Sequence, residues 1–487
     1  MMFLFAFVLL LLVLISVAWF ASRNVQSVDQ FVLSGQGLGL RLCTCSLLAT
    51  WFGAESLLTL SDEVSRVGLS CIWIDPIGIA LCLWIAGLWV VPRIYRRDIA
   101  TIGDLFRQSG DRRCELLCSI IIVPSYFGWI AAQLIALGLV LKTYLHLDAT
   151  VGCIAMTCFA ACLCLWGGNN SVGWLNTLLL LLIIVGLVCL TGALLHACLT
   201  SPRAQPSPSI DLRDVPDQHW EWFDPSSRGP WLGVLGALAV GSVGNLPTIE
   251  LLQRIRSART EMTAKLACYI GGLAYLLLGS MPIFFGLCHA SLNVVDETVS
   301  AQALSALSLA FLSAPFQVLL FIAIVATVLS TLIGAAVAPA SMLSLNVVEP
   351  IAKRVCGISL HEAHRLRSQR MCVVVLLALS TLLALSGETA FQLVRDSYGM
   401  LLGAIVVPFL ALLGLKKPPK PTALLAAMLA GAASWAAHWW FDQTHFAGPW
   451  LEAWLPLPHE LGDALLSAAT LVAFEFAIPL AIFSNSR

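Results

Sequence analysis

Residues 46–61 read SLLATWFGAESLLTLS. The stretch is apolar enough to lie in lipid, yet it carries Glu55 at its centre beside Gly53 and Ala54. A carboxylate in hydrocarbon is costly, so it needs partners or a proton. The small residues beside it permit close packing or a local unwinding of the helix. Glu55 therefore reads in two ways: as a hydrogen bond between helices, or as part of an ion-coupling site.

The rest of the chain makes lipid the solvent. Of 487 residues, 59% are apolar and 11% charged, with a mean hydropathy of +0.88. A soluble domain carries about 25% charge and roughly 45–50% apolar residues. This balance excludes a soluble enzyme, a secreted disulfide scaffold and a disordered chain. The net charge of -1 excludes a strongly basic nucleic-acid binder. The sixteen cysteines form no metal-like CxxC pair. Most sit in apolar runs, as Cys153, Cys158, Cys162 and Cys164 do, and read as small lipid- or core-facing side chains.

Crossing the hydrocarbon takes about 20 apolar residues in a helix. Thirteen stretches qualify: 2–20, 42–62, 70–92, 115–142, 150–168, 172–196, 231–252, 263–289, 312–345, 371–388, 391–414, 421–441 and 460–484. The first lacks a basic n-region and a clean cleavage site, so it reads as an uncleaved helix rather than a signal peptide. With the N-terminus outside, 21 of the 27 Lys and Arg residues fall in inner connections, among them Arg93, Arg254, Lys353 and Lys416. The opposite topology leaves the other six there, so the positive-inside rule puts the N-terminus outside and the C-terminus in the cytoplasm. The expected organisation is an extra N-terminal helix (1–22), a five-helix unit (40–196), an outer loop (197–230), a second five-helix unit (231–414) and two further helices (421–487). The outer loop is Pro- and Ser-rich, then acidic and aromatic. It reads as a connector anchored by Trp220, Trp222 and Trp231, or as a cap on the outer face. His361 and His364 lie three apart in a polar inner loop and read as solvated.

Two further spans carry unusual residues. The seventh contains GALAVGSVGNLPTIELLQR at 236–254, with Gly236, Gly241, Gly244 and Pro247 around Asn245. That spacing predicts a broken helix, whose exposed half-helix ends can bind ions and polar solutes; a packing kink is the plainer alternative. The ninth contains IVATVLSTLIGAAVAPAS at 324–341, where Ser330 and Thr331 are adjacent hydroxyls. Each reads as a bond to its own i−4 carbonyl, or as a hard oxygen ligand for a small cation. The second and seventh spans are five apart and run in opposite directions, the pattern of an inverted repeat.

Several stretches together resemble the sodium:solute symporter family, the sodium-coupled proline, sialic acid, sugar and choline carriers. They are FVLSGQGLG at 31–39, SLLATWFGAE at 46–55, the GG and SV pairs around 167–173, GNLPTIELLQRIRSAR at 244–259 and the Ser330–Thr331 pair. ATWFGAE is similar to the pattern of choline-type members. The resemblance covers roughly 1–485. It implies an all-α LeuT-type 5+5 inverted-repeat fold with thirteen helices, alternating access and a sodium ion as the coupled cation. Matched to this chain, the implied sodium ligands are the carbonyls of Ala49, Phe52 and Thr327 and the hydroxyls of Ser330 and Thr331. The implied solute pocket draws on Trp51, Gly53, Glu55, Ser56 and Asp75, on Tyr126, Trp129 and Gln133, and on Asn245, Thr248 and Glu250. Ionised Glu55 and Asp75 would favour a solute with a cationic group, and aromatic walls would add cation–π attraction.

One position departs from the family. Its members commonly carry a Thr–Asp pair at the inner side of the sixth span, with a Gln three residues on. Here SVGWLNTLL at 171–179 puts Leu175 and Asn176 at the pair and Leu179 at the Gln. Asn176 at this inner gate keeps an oxygen but not the charge. Sodium-coupled uptake of a small polar solute, an amino acid or a betaine- or choline-like compound, is the expected function. A proton-coupled carrier of the same fold, working through Glu55 or Asp75, and a non-transporting solute sensor are the alternatives. No convergent His/Asp/Glu metal set and no nucleophile–base pair is legible, so an enzyme is not expected. The expected partners are the solute and the lipid bilayer, with no nucleic acid. The expected unit is a single chain in a cell inner membrane.

Overall fold

A computed structural model describes residues 1–22, 37–97, 99–109, 111–167, 170–199, 210–223, 230–292, 302–356, 362–387, 389–441, 443, 446 and 457–477. Helices dominate them: α1 (Met2–Ser22), α2 (Leu40–Trp51), α3 (Leu60–Val67), α4 (Ile79–Ile85), α5 (Ile102–Ser109), α6 (Arg112–Leu145), α7 (Ala149–Gly167) and α8 (Asn170–Leu199). The second half holds α9 (Pro230–Gly241), α10 (Ile249–Ser257), α11 (Glu261–Ser291), α12 (Ala303–Phe311), α13 (Ala314–Met342), α14 (Glu349–Cys356), α15 (Glu362–Ala384), α16 (Ala390–Leu401), α17 (Val407–Gly414), α18 (Pro421–Trp440) and α19 (His459–Val472).

The sequence starts these helices by familiar means. Asp111 accepts bonds from the amides of Arg113 (2.7 Å) and Cys114 (3.0 Å) at the head of α6. Thr260 and Thr389 accept from Thr263 and Gln392 at the heads of α11 and α16. Each cap satisfies an N–H that the first turn leaves without a partner. Pro230 and Pro421 open α9 and α18, where a missing N–H costs nothing.

By length and apolarity, nine described helices are able to cross a membrane, or ten with the bent pair Pro230–Asn245 and Ile249–Ser257 counted as one. The chain is a polytopic membrane protein, consistent with the expected inner-membrane location. The thirteen stretches marked out from hydropathy exceed these ten by three: 421–441 and 460–484, the helices α18 and α19, are not among the ten, and the second and third spans count as one. The second span is cut after twelve residues at Trp51, and its continuation runs through the polar turns around Asp62, Glu63 and Arg66 into the third, so Glu55–Ile94 counts as one 40-residue helical stretch. That stretch is itself interrupted. Asp75 is extended (φ −140°, ψ 126°) and is followed by a cis bond to Pro76. A continuous third span was expected, although a residue before proline is biased away from helix.

α13 is the axis of the bundle. All its residues from Ala323 to Met342 are buried. α2, α6, α8 and α15 pack around it, while α1 lies outside against α7 and α8 with Phe5 72% exposed. α9 descends onto the third-span break at a bare backbone contact. A Cβ on Gly241 would lie 2.2 Å from the Ile74 carbonyl oxygen, so only glycine fits. Before α2, Leu38 N–H donates to Ser257 O (2.9 Å) and Arg259 N–H to Leu38 O (2.9 Å). This parallel bridge ties the entry of the second span to the exit of the seventh.

The described part of the outer loop lies against the bundle. His219 is 5% exposed, with Nε2 3.0 Å from Ser65 O, and Trp73 Nε1 donates to Trp222 O (2.7 Å). Residues 210–223 therefore act as a cap rather than a free connector. Trp220, Trp222 and Trp231 remain 42–68% exposed, as residues at a lipid–water boundary would be. Arg254, counted above among inner-connection charges, is 4% exposed and donates from Nε to Thr50 Oγ1 (3.0 Å), joining α10 to α2. His361 lies outside the described residues; His364 is exposed.

Candidate functional site

The break in the second span is an inverse γ-turn. Phe52 has φ −83° and ψ 73°, and Gly53 N–H donates to Trp51 O (3.0 Å). The helix resumes through the widened turns Glu55–Thr59. The interruption leaves α2 with unpaired carbonyls and the following half-helix with unpaired amides, and neither lipid nor water is there to satisfy them. Gln133 of α6 meets one need, since its Oε1 accepts from Ala54 N–H (3.0 Å). Thr331 of α13 meets another. Its hydroxyl donates to Ala49 O (3.4 Å) and to Thr327 O (3.2 Å). Thr331 thus bonds its own i−4 carbonyl and also reaches across to α2. Gly53 permits this approach, because a Cβ there would lie 2.8 Å from Thr331 Cγ2 and 3.0 Å from Gln133 Oε1.

Three of the five expected sodium oxygens therefore converge: the carbonyls of Ala49 and Thr327 and the hydroxyl of Thr331. They stand at the carbonyl end of a half-helix, where the helix dipole is negative. Ser330, on the adjacent position of α13, is 8% exposed, and Phe52 is fully buried with its ring edge-on to Tyr275 at 5.6 Å. Thr327 Oγ1 is buried without a hydrogen-bond partner. The donor set is all hard oxygen, which suits a hard cation.

The seventh span breaks between α9 and α10 with a bend of 51°. Asn245 caps the upper half: its Nδ2 donates to Gly241 O (3.0 Å) and more weakly to Val240 O (3.4 Å). Thr248 Oγ1 donates to Asn245 O (2.8 Å). Tyr126 of α6 spans the lower half, accepting from Ile249 N–H (3.0 Å) and donating to Glu250 Oε2 (2.5 Å). Glu250 lies in the first turn of α10, where a negative charge complements the dipole.

Between the two breaks lies a tight cleft with an accessible volume of only about 10 Å3. Trp51, Tyr126, Trp129, Asn245 and Thr248, five of the residues expected around solute, line it. Tyr398 of α16 completes the aromatic wall, and its hydroxyl reaches both carboxylate oxygens of Glu55, at 3.1 and 3.0 Å. The other residues expected to touch solute are not part of its lining, and Glu55 meets it only through Tyr398. Gly53 and Gln133 brace the break in the second span beside Thr331. Ser56 and Asp75 form a separate cluster with Tyr275, in which Asp75 Oδ2 accepts from Ser56 Oγ (2.7 Å) and from Tyr275 OH (3.1 Å) while Oδ1 has no partner. Glu250 is committed to Tyr126 on α6. Asn176 is on α8, but the side chains of 170–178 lie outside the described residues.

Sequence reasoning missed Tyr275 and Tyr398. Each is a phenol in a mostly apolar helix, which was the available signal. It also missed a His–His–Asp cluster: His438, His459 and Asp463 bring their side-chain ligand atoms within 4.8 Å of one another.

Residues 31–431 match the model of the sodium:solute symporter family. The high-affinity choline transporter 1 of Drosophila melanogaster is 25% identical over 409 residues, 79% of this chain and 62% of that protein. Its human counterpart is 24% identical over 302 residues, 58% of this chain and 49% of that one. The chain thus spans between about half and three fifths of these relatives. The Vibrio parahaemolyticus sodium/glucose cotransporter is 22% identical over 185 residues, 37% of this chain and 34% of that protein. Among solved structures, a Na+-coupled sialic acid symporter in a substrate-bound outward-open state superposes with a TM-score of 0.77 at 14% identity, over 99% of this chain and 98% of the other. The chain belongs to the sodium:solute symporter family. Its fold is the all-α LeuT-like inverted repeat.

Proposed function

We propose that this chain is a sodium-coupled symporter that carries a small organic solute with a cationic group, of the choline or betaine kind, by alternating access. It works as thirteen spans with the N-terminus outside and the C-terminus cytoplasmic, in two five-helix repeats over 40–196 and 231–414, and as a single chain. One observation carries the reading: the Thr331 hydroxyl bridges the Ala49 carbonyl at the broken end of α2 and the Thr327 carbonyl on α13. Sodium entering there, with Phe52 O and the Ser330 hydroxyl as further ligands, holds α2 against α13. That contact fixes the Trp51–Gly53 turn and with it one wall of the solute cavity. Ion and solute thus favour the same arrangement, which is the requirement for coupling. The solute preference rests on the aromatic lining of Trp51, Tyr126, Trp129 and Tyr398, with the Glu55 carboxylate beside Tyr398. A quaternary or protonated amine gains cation–π attraction and a counter-charge in such a site.

A proton-coupled cycle is the second reading. It is favoured by Asp75, whose Oδ1 is buried and unpartnered, and by the Asn at 176. The first test is a melting screen of the purified protein with choline, betaine, proline, glucose and sialic acid, each with and without sodium. Ligand present at 100 times its Kd stabilises by about 2.7 kcal/mol, enough to be seen. We expect choline or betaine to raise the melting temperature in sodium and not in potassium. Stabilisation by glucose or sialic acid instead would overturn the solute class.

A further inference from the structure

The geometry points to a binding site for a divalent transition-metal cation, of the zinc class, formed by His438, His459 and Asp463 where α18 meets α19. Neither the family match nor the transport reading uses these residues. His438 Nδ1 lies 2.9 Å from Asp463 Oδ1, and His459 Nδ1 lies 3.6 Å from Asp463 Oδ2. Tetrahedral ligands at zinc bond lengths of about 2.0–2.1 Å stand about 3.3 Å apart, and the ligand atoms of the three residues all lie within 4.8 Å of one another, so a small contraction brings them onto one ion. His438 Nδ1, His459 Nδ1 and Asp463 Oδ2 are buried and make no hydrogen bond of good geometry, and both imidazoles turn a ring nitrogen toward the Asp463 carboxylate. Burying such groups unpaired is costly, and a cation would recover the loss.

Outer support is present as well. His459 directs its other nitrogen, Nε2, toward Glu460 Oε1 at 3.5 Å, the carboxylate–histidine arrangement that orients metal ligands. Glu460 is in turn held by both Nε (3.1 Å) and Nη2 (2.7 Å) of Arg395 on α16. Ser434 Oγ donates to Asp463 Oδ1 at 2.5 Å, which leaves Oδ2 for the ion. Asp463 is fully buried and His438 nearly so, while the His459 side chain is 16% exposed and gives the ion a way in. Arg395 and Tyr398 are three apart on α16, so a cation at this site bears on the helix that also presents Tyr398 to Glu55.

The test uses tag-free, full-length protein in detergent, with cobalt(II) as the spectroscopic probe and zinc as competitor. We expect one equivalent of cobalt to give the visible absorption of a tetrahedral nitrogen–oxygen site, bleached by one equivalent of zinc, and zinc to raise the melting temperature. His459→Gln, at the most exposed ligand, should weaken zinc by more than the roughly 10–100-fold that an outer-shell partner is worth. Glu460→Gln should fall within that range. Wild-type protein without the cobalt spectrum would overturn the site, whatever the variants do. A thiolate-to-cobalt charge-transfer band would overturn it too, by putting the metal on cysteines such as the exposed Cys158 and Cys162. So would unchanged zinc affinity in a folded His459→Gln protein.

Discussion

Replacing Ser330 and Thr331 together by Ala weakens sodium binding by roughly 10²- to 10⁴-fold and removes sodium stimulation of uptake. The estimate follows from the ligands lost. A polar contact to a charged group is worth about 1.5–3 kcal/mol, and two are deleted, with about 1.4 kcal/mol per factor of ten. Thr331→Ala also breaks the link from α13 to Ala49 O, so α2 loses its hold on the axis of the bundle. Thr331→Ser keeps the hydroxyl and should retain most of the affinity, which separates ligation from packing. The check is sodium titration of uptake in proteoliposomes, with a melting curve of each variant as the folding control. Sodium dependence that survives the double replacement would remove the cation site proposed here.

Glu55→Gln is the second large effect. Glu55 is 5% exposed, bonded by Tyr398, and placed at the resumption of the broken second span. If its charge answers a cationic solute, the neutral variant leaves that solute's charge uncompensated in a dry site. Removing one partner of a buried charge pair costs about 2–5 kcal/mol, so affinity for choline-like amines should fall by roughly 30- to 3,000-fold. Affinity for neutral solutes should change far less. Glu55→Gln also removes an ionisable group from the pathway, so any dependence of uptake on pH that runs through Glu55 should disappear. Unchanged choline affinity and an unchanged pH profile would make Glu55 a structural hydrogen-bond acceptor only.

Much of this arrangement was legible because its causes are local. Glycines and a proline around Asn245 mark a helix that cannot continue, and α9 and α10 part there. Glu55 beside Gly53 marks the other break, and adjacent Ser330 and Thr331 mark the polar point of α13. The Asp75–Pro76 break was equally local and could have been read from the proline. What escaped depends on residues far apart in the chain. Tyr398 meets Glu55 across 343 positions, and Tyr275 meets Asp75 across 200. No periodicity within one span announces such a meeting. The His–His–Asp cluster is intermediate. His459 and Asp463 share a helix face at i, i+4, which the sequence displays, whereas His438 arrives from α18. Ser56 and Asp75 enter the expected solute pocket through the family resemblance. The bonds they make to each other and to Tyr275 set them apart from the cavity wall.

The most direct measurement is accumulation of radiolabelled choline by proteoliposomes under an imposed gradient of one ion at a time. Coupling through the Ala49–Thr327–Thr331 oxygens requires that an inward sodium gradient alone drive uptake against the solute gradient, and that a proton gradient alone leave it at background. Uptake driven by protons without sodium, or no uptake under a sodium gradient, would contradict sodium symport.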